Sequence, residues 1–176
     1  MLALPLVLVG CTSDDGKKPT VLPSLAPPAA SPSSVPVPSV PPEASAETAQ
    51  GAAAFARHYM DVLNQAYAAA DPTLVQSVSS QECGGCQDLI GVVQALRRDG
   101  SRSAGGEYDV KSALAPAVVA GDVIVDIVYE RPPGQIVGAD GAVVERAGSV
   151  GPTSAQMRLL WRNGAWVVQG YRVVGK

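Results

Sequence analysis

Val123-Ile124-Val125-Asp126-Ile127-Val128-Tyr129-Glu130 decides the fold of this chain. Val123, Val125, Ile127 and Tyr129 alternate with Ile124, Asp126, Val128 and Glu130. Successive side chains of a strand point to opposite faces, so the stretch predicts a strand with one fully apolar face. Such a face must be covered, and the cover has to come from elsewhere in the sequence.

Working outward, Gly121-Asp122 separates this strand from an earlier one around Tyr108 to Val119. Downstream, Asp140-Gly141 and Asn163-Gly164 read as type I′ hairpin turns, whose two central residues need positive φ. The last turn joins Ala155 to Arg162 with Trp166 to Val174. Met157, Leu159 and Trp161 fall on one side of that hairpin, as do Trp166, Val168 and Val174. The expectation is a meandering antiparallel sheet of about five or six strands, packed on helices through one face.

The helices come first. Ser45 is placed to cap a helix with Glu47 in its first turn. Phe55, Tyr59, Val62, Leu63, Ala66 and Tyr67 recur at three and four residues, forming one apolar stripe. Asp71-Pro72 then restarts the chain as cap and first helical residue, giving a short second helix from Thr73 to Val78. A third runs through Leu89, Ile90, Val93 and Leu96 and closes at Arg97, Arg98 and Gly100, with basic side chains at the negative end of the dipole. The fold class is therefore α+β: N-terminal helices packed on a curved antiparallel sheet.

Cys83-Gly84-Gly85-Cys86 opens that third helix. If Cys11 carries the lipid that the N-terminal run read below implies, Cys83 and Cys86 remain, and the oxidising compartment that such an export signal leads to favours their pairing as a disulfide. Two sharper readings stay open. A helix N-terminus lowers a thiol pKa and suits redox chemistry, although here a helix and not a strand precedes the pair. A zinc site would need a second Cys or His pair, which the sequence lacks.

The N-terminal third has another character. Met1-Leu2-Ala3-Leu4-Pro5-Leu6-Val7-Leu8-Val9-Gly10 is an apolar run ending just before Cys11. It reads as an export signal over residues 1–10, truncated because no Lys or Arg precedes it. About ten apolar residues are too few to span a bilayer, which needs about twenty. Leu8-Val9-Gly10-Cys11 resembles the bacterial lipobox, which implies that the Cys11 sulfur carries the lipid anchor. Residues 11–45 are rich in Pro, Ser, Ala and Val, as in Val35-Pro36-Val37-Pro38. Proline fixes φ and removes amide donors, so a disordered spacer is expected. Thirty residues of it would reach roughly 90 Å when extended and nearer 30 Å as a coil. Residues 46–176, about 130 residues, make one domain of ordinary size.

The net charge of −3 and a pI near 5.1 argue against nucleic acid, which calls for a basic patch. No cofactor or metal motif is present, and no catalytic residue is assigned.

Helices followed by a curved antiparallel sheet ending in Trp161-Arg162-Asn163-Gly164-Ala165-Trp166 resemble the nuclear-transport-factor-like cone, a fold related to cystatins. Together with the lipobox, the Pro-rich linker and the Cys-x-x-Cys pair, they resemble a family of actinobacterial lipoproteins of unknown function. That resemblance implies a cell-membrane location on the extracytoplasmic face and supplies no activity. Enzymes on the cone fold use pocket carboxylates or a His-Asp pair. The residues of matching type that would line a cone pocket here are His58, Tyr59, Asp109, Asp126, Glu130 and Trp161. Three functions follow as expectations: a non-catalytic module binding a cell-envelope protein or an apolar small ligand, a small-molecule isomerase or hydrolase, and a thiol-redox lipoprotein.

Overall fold

In the computed structural model, residues 38–175 are described. The expected signal peptide, the expected lipidation of Cys11 and most of the expected spacer lie outside these residues. Pro42–Ser45 forms a 3-10 turn whose Ala44 is buried, so the packed body begins a few residues before the expected boundary at 46.

Three helices follow: α1 (Ala49–Ala69), α2 (Pro72–Val78) and α3 (Gly84–Arg98). The cap of α1 is Thr48 and not Ser45; the Thr48 side chain accepts the Gly51 N–H at 2.9 Å. Ser45 is occupied in the preceding turn, where its hydroxyl donates to Pro41 O. Asp71 caps α2 as expected, accepting from Thr73 N at 3.1 Å, with Pro72 at the first helical position. Gly100, with φ of 64°, follows α3 and its terminal Arg97 and Arg98.

Seven strands are present among the described residues, one or two more than expected: β1 (Arg102–Gly105), β2 (Asp109–Leu114), β3 (Asp122–Arg131), β4 (Gly134–Val137), β5 (Val143–Ala147), β6 (Val150–Arg162) and β7 (Ala165–Val174). They form two sheets, β1-β4-β5 and β2-β3-β6-β7, each antiparallel throughout. β1 and β5 are short, and neither buries a residue fully, so they lack the alternation that makes a strand legible.

The inner face of the larger sheet packs on α1. Val123, Val125, Ile127 and Tyr129 are all buried, as their spacing predicts. Met157, Leu159, Trp166 and Val168 join them from β6 and β7. Val174 does not, being 44% exposed. A bulge in the β6–β7 register, between Arg158–Gly170 and Leu159–Val168, leaves Gln169 as the extra residue. It reverses the alternation, so Tyr171 and not Gly170 faces inward from there.

The two hairpin turns differ. Asn163 and Gly164 have φ of 53° and 81°, as a type I′ turn requires. At Asp140-Gly141 only the glycine has positive φ. Asp140 instead uses its carboxylate to accept the Ala142 N–H at 2.9 Å, within a five-residue loop closed by Gly138 N to Ala142 O. An aspartate that bonds its own backbone two residues on sets a turn without adopting the left-handed conformation.

Candidate functional site

The inner side of the cone is built from tyrosine. All five tyrosines of the chain meet there: Tyr59 and Tyr67 from α1, Tyr108 from the entry to β2, Tyr129 from β3 and Tyr171 from β7. Ring centroids lie 6.4 Å apart for Tyr59–Tyr171, 6.2 Å for Tyr67–Tyr108 and 5.1 Å for Tyr108–Tyr129. The Arg131 guanidinium sits 4.8 Å over the Tyr108 ring. Such stacking and cation contacts add to the apolar burial of large rings. Burial raises the Tyr59 hydroxyl to a pKa of about 12 and pushes Tyr67, Tyr108 and Tyr171 upward as well. The Tyr59 hydroxyl neighbours that of Ser79, yet neither has a hydrogen-bond partner of normal geometry.

The residues expected to line one pocket are spread over the molecule. His58 is on α1 and 4% exposed, with its ring 5.8 Å from Phe55. Its Nε2 has no partner, and burial lowers its pKa against the opposing pull of Asp61. Tyr59 belongs to the tyrosine cluster. Asp109 and Glu130 face each other across β2 and β3, and Lys111 bridges them at 2.6 and 3.4 Å on the surface. Asp126 is on the outer face of the sheet, accepting from Gln156 Nε2 at 2.9 Å. Trp161 stacks edge-on against Trp166 at 5.0 Å, whose indole N–H donates to Ala46 O. The structure thus brings Asp109 together with Glu130 but unites neither with His58. The physical reason is strand alternation: Asp126 is even-numbered on β3 and points away from the helices.

Cys83 and Cys86 form the expected disulfide. Both are fully buried, and Cys83 is the N-cap of α3. An attacking thiolate needs access, and these sulfurs have none. The pair ties the N-cap of α3 to its first turn.

Sequence reasoning missed the hollow beside that turn. A surface groove of about 450 Å³ runs over the outer face of the larger sheet, lined by Gly84, Gly85, Ile124, Gln156, Arg158, Gly170, Tyr171 and Arg172. Ile124 is its apolar floor, 45% exposed. The alternation that places Ile124 outward was readable; the approach of α3 to β7 was not. Among the described residues no group of three or more His, Cys, Asp or Glu side chains could hold a metal ion. No helix among them is long and apolar enough to cross a membrane.

No curated protein matches the sequence. Solved structures do match in fold. The intermembrane space region of the chloroplast protein ARC6 is similar at a TM-score of 0.52 and 10% identity, over 73% of this chain and 97% of that one. A putative calcium/calmodulin-dependent protein kinase II association domain from Xanthomonas campestris aligns at 0.43 with 8% identity, over 70% and 84%. An uncharacterized protein with a cystatin-like fold from Caulobacter vibrioides aligns at 0.42 with 11% identity, over 68% and 87%. At such identities the likeness concerns the fold alone. In sequence, residues 26–172 match the family of unknown function DUF6318, and the chain belongs to that family.

Proposed function

We propose that this protein is a lipoprotein held at the extracytoplasmic face of the cell membrane through Cys11, and that its α+β domain is a non-catalytic binding module. The observation that carries the second half is the fate of the candidate catalytic groups. Asp109 and Glu130 are tied by Lys111, Asp126 lies on the opposite face of the sheet, and the buried His58 Nε2 has no hydrogen-bond partner among the described residues. General acid–base chemistry needs such groups within reach of one substrate position. On the inner side of the sheet the tyrosine rings pack against one another at centroid distances of 5.1 to 6.4 Å.

The anchor is tested by growing cells with an alkyne-bearing fatty acid. The chain should take up the label and sediment with membranes, and Cys11→Ser should lose both. Equal membrane recovery of the Cys11→Ser protein would overturn the anchor. For the domain, native mass spectrometry of the Cys11→Ser chain should show a bare protein or a bound mass that stays chemically unchanged; turnover of that mass, abolished by substitution of His58 or Asp126, would overturn the binding module.

A small-molecule enzyme of isomerase or hydrolase type is the second reading. It is favoured by the buried, unpartnered His58 Nε2 and Tyr59 hydroxyl, polar atoms of the kind found at working sites. A turnover abolished by His58→Gln would establish it and remove the first.

A further inference from the structure

The groove on the outer face of the four-stranded sheet has a shape, a fixed wall and a charge. We propose that it docks an extended segment of a protein partner that places an acidic side chain beside an apolar one. This rests on the binding-module reading and names its surface.

The wall is fixed from two sides. A Cβ on Gly85 would lie 2.0 Å from the Tyr171 carbonyl oxygen, so the backbones of α3 and β7 touch at a distance only glycine permits. The Cys83–Cys86 disulfide closes the same turn. The width is kept by missing side chains. Gly84 lines the groove, and a Cβ there would meet nothing; Gly170 lines it opposite Arg158. Between them Ile124 offers an exposed aliphatic floor.

The rim is cationic. Arg158 lines the groove but spends its charge on Asp122, with which it pairs. Arg172 does not: its guanidinium bonds only the neutral amide oxygen of Gln156, and no carboxylate lies within ion-pair distance of it among the described residues. The adjoining N-terminus of α3 has the same sign. Asp126 reaches Arg172 only through the Gln156 amide, so a guanidinium with no direct carboxylate partner stands over an apolar floor, which fits a carboxylate next to a hydrophobic side chain.

The groove is open along the surface. Small ligands bind where 70–90% or more of their area is enclosed, roughly, and an open groove cannot enclose one. A chain segment brings its own cover, which favours a protein.

The test uses the full chain with Cys11→Ser and the labelled peptide Ser-Glu-Leu-Glu-Ser, its lysine counterpart Ser-Lys-Leu-Lys-Ser, and decanoate as an acyl carboxylate. The acidic peptide should shift the amide signals of Gly84, Ile124, Gly170 and Arg172 and bind about tenfold more tightly than the lysine peptide. Arg172→Glu should reverse that preference. Gly84→Phe should fill the groove and abolish binding at an unchanged melting temperature; should it misfold, the exposed Arg172→Glu decides alone. Equal binding of both peptides, shifts confined to another face, decanoate occupying the groove without displacement by the acidic peptide, or groove signals that change with protein concentration alone would each overturn the proposal. If the peptides ignore the groove while native mass spectrometry finds a bound protein, the groove falls and the binding module stands. A turnover that needs His58 or Asp126 fells the binding module itself.

Discussion

Asn64 on α1 clamps Tyr108 at the free edge of β2: its Nδ2 donates to the Tyr108 carbonyl at 3.0 Å and its Oδ1 accepts the Tyr108 N–H at 2.7 Å. One amide side chain thus stands in for a neighbouring strand. Arg57 Nη1 does the same for Val110 O at 3.0 Å, so α1 covers the edge that sheets otherwise leave open to foreign strands. Asn64→Ala strands two half-buried backbone groups and should cost about 2 kcal/mol, read as a lower urea midpoint at unchanged slope. A midpoint within error of the parent would show that water replaces the clamp.

His58 should set the acid limb of stability. Its pKa in the folded state is lowered by burial, so the unfolded chain binds more protons below the ordinary value near 6.5. Stability is then fully present above that pH and is lost as pH falls. His58→Leu removes the unpartnered nitrogen, should gain about 1 kcal/mol at neutral pH, and should flatten the slope below about pH 6.5. A slope that survives the substitution would assign it to the carboxylates.

The tyrosines should set the alkaline limb, with the opposite sign. The folded pKa values of Tyr59, Tyr67, Tyr108 and Tyr171 are raised by burial, Tyr59 to about 12. The unfolded chain therefore releases protons first above about pH 10, and stability present below that pH is lost as pH rises. Absorbance at the phenolate band should stay low above about pH 10 and rise in one step coincident with loss of circular dichroism. A gradual rise at about pH 10 with the fold intact would mean that the cluster is wetter than its packing implies.

Buried sulfurs predict resistance to exchange. Cys83 and Cys86 should stay unreactive to alkylation in mild reductant and become labelled only in denaturant. The double replacement by Ala should lower stability by about 2 kcal/mol, the scale for so short a loop. Fast labelling of the folded chain would restore a redox role.

Ala70 ends α1 in the left-handed region, with φ of 51°, where alanine is strained. Ala70→Gly should raise stability by about 1 kcal/mol in thermal unfolding. A loss would mean that the unfolded chain's added freedom outweighs the relieved strain.

Periodicity together with cap and turn chemistry determined the order of three helices and then strands, the buried face of Val123, Val125, Ile127 and Tyr129, the Asp71-Pro72 start and the Asn163-Gly164 turn. Each of these is local: the side-chain period or the φ of one or two residues decides it, and the information sits within a few positions of the chain. Only the tertiary structure decided that the strands divide into two sheets, that Tyr171 faces inward, that five tyrosines converge, and that Asp126 and His58 never meet. A single extra residue, Gln169, reverses the alternation of β7 once a partner strand imposes its register, and Asn64 finds Tyr108 only when α1 lies along β2. The groove was hidden for the same reason: Gly85 looks like any turn glycine until the carbonyl of Tyr171 occupies the space its side chain would need.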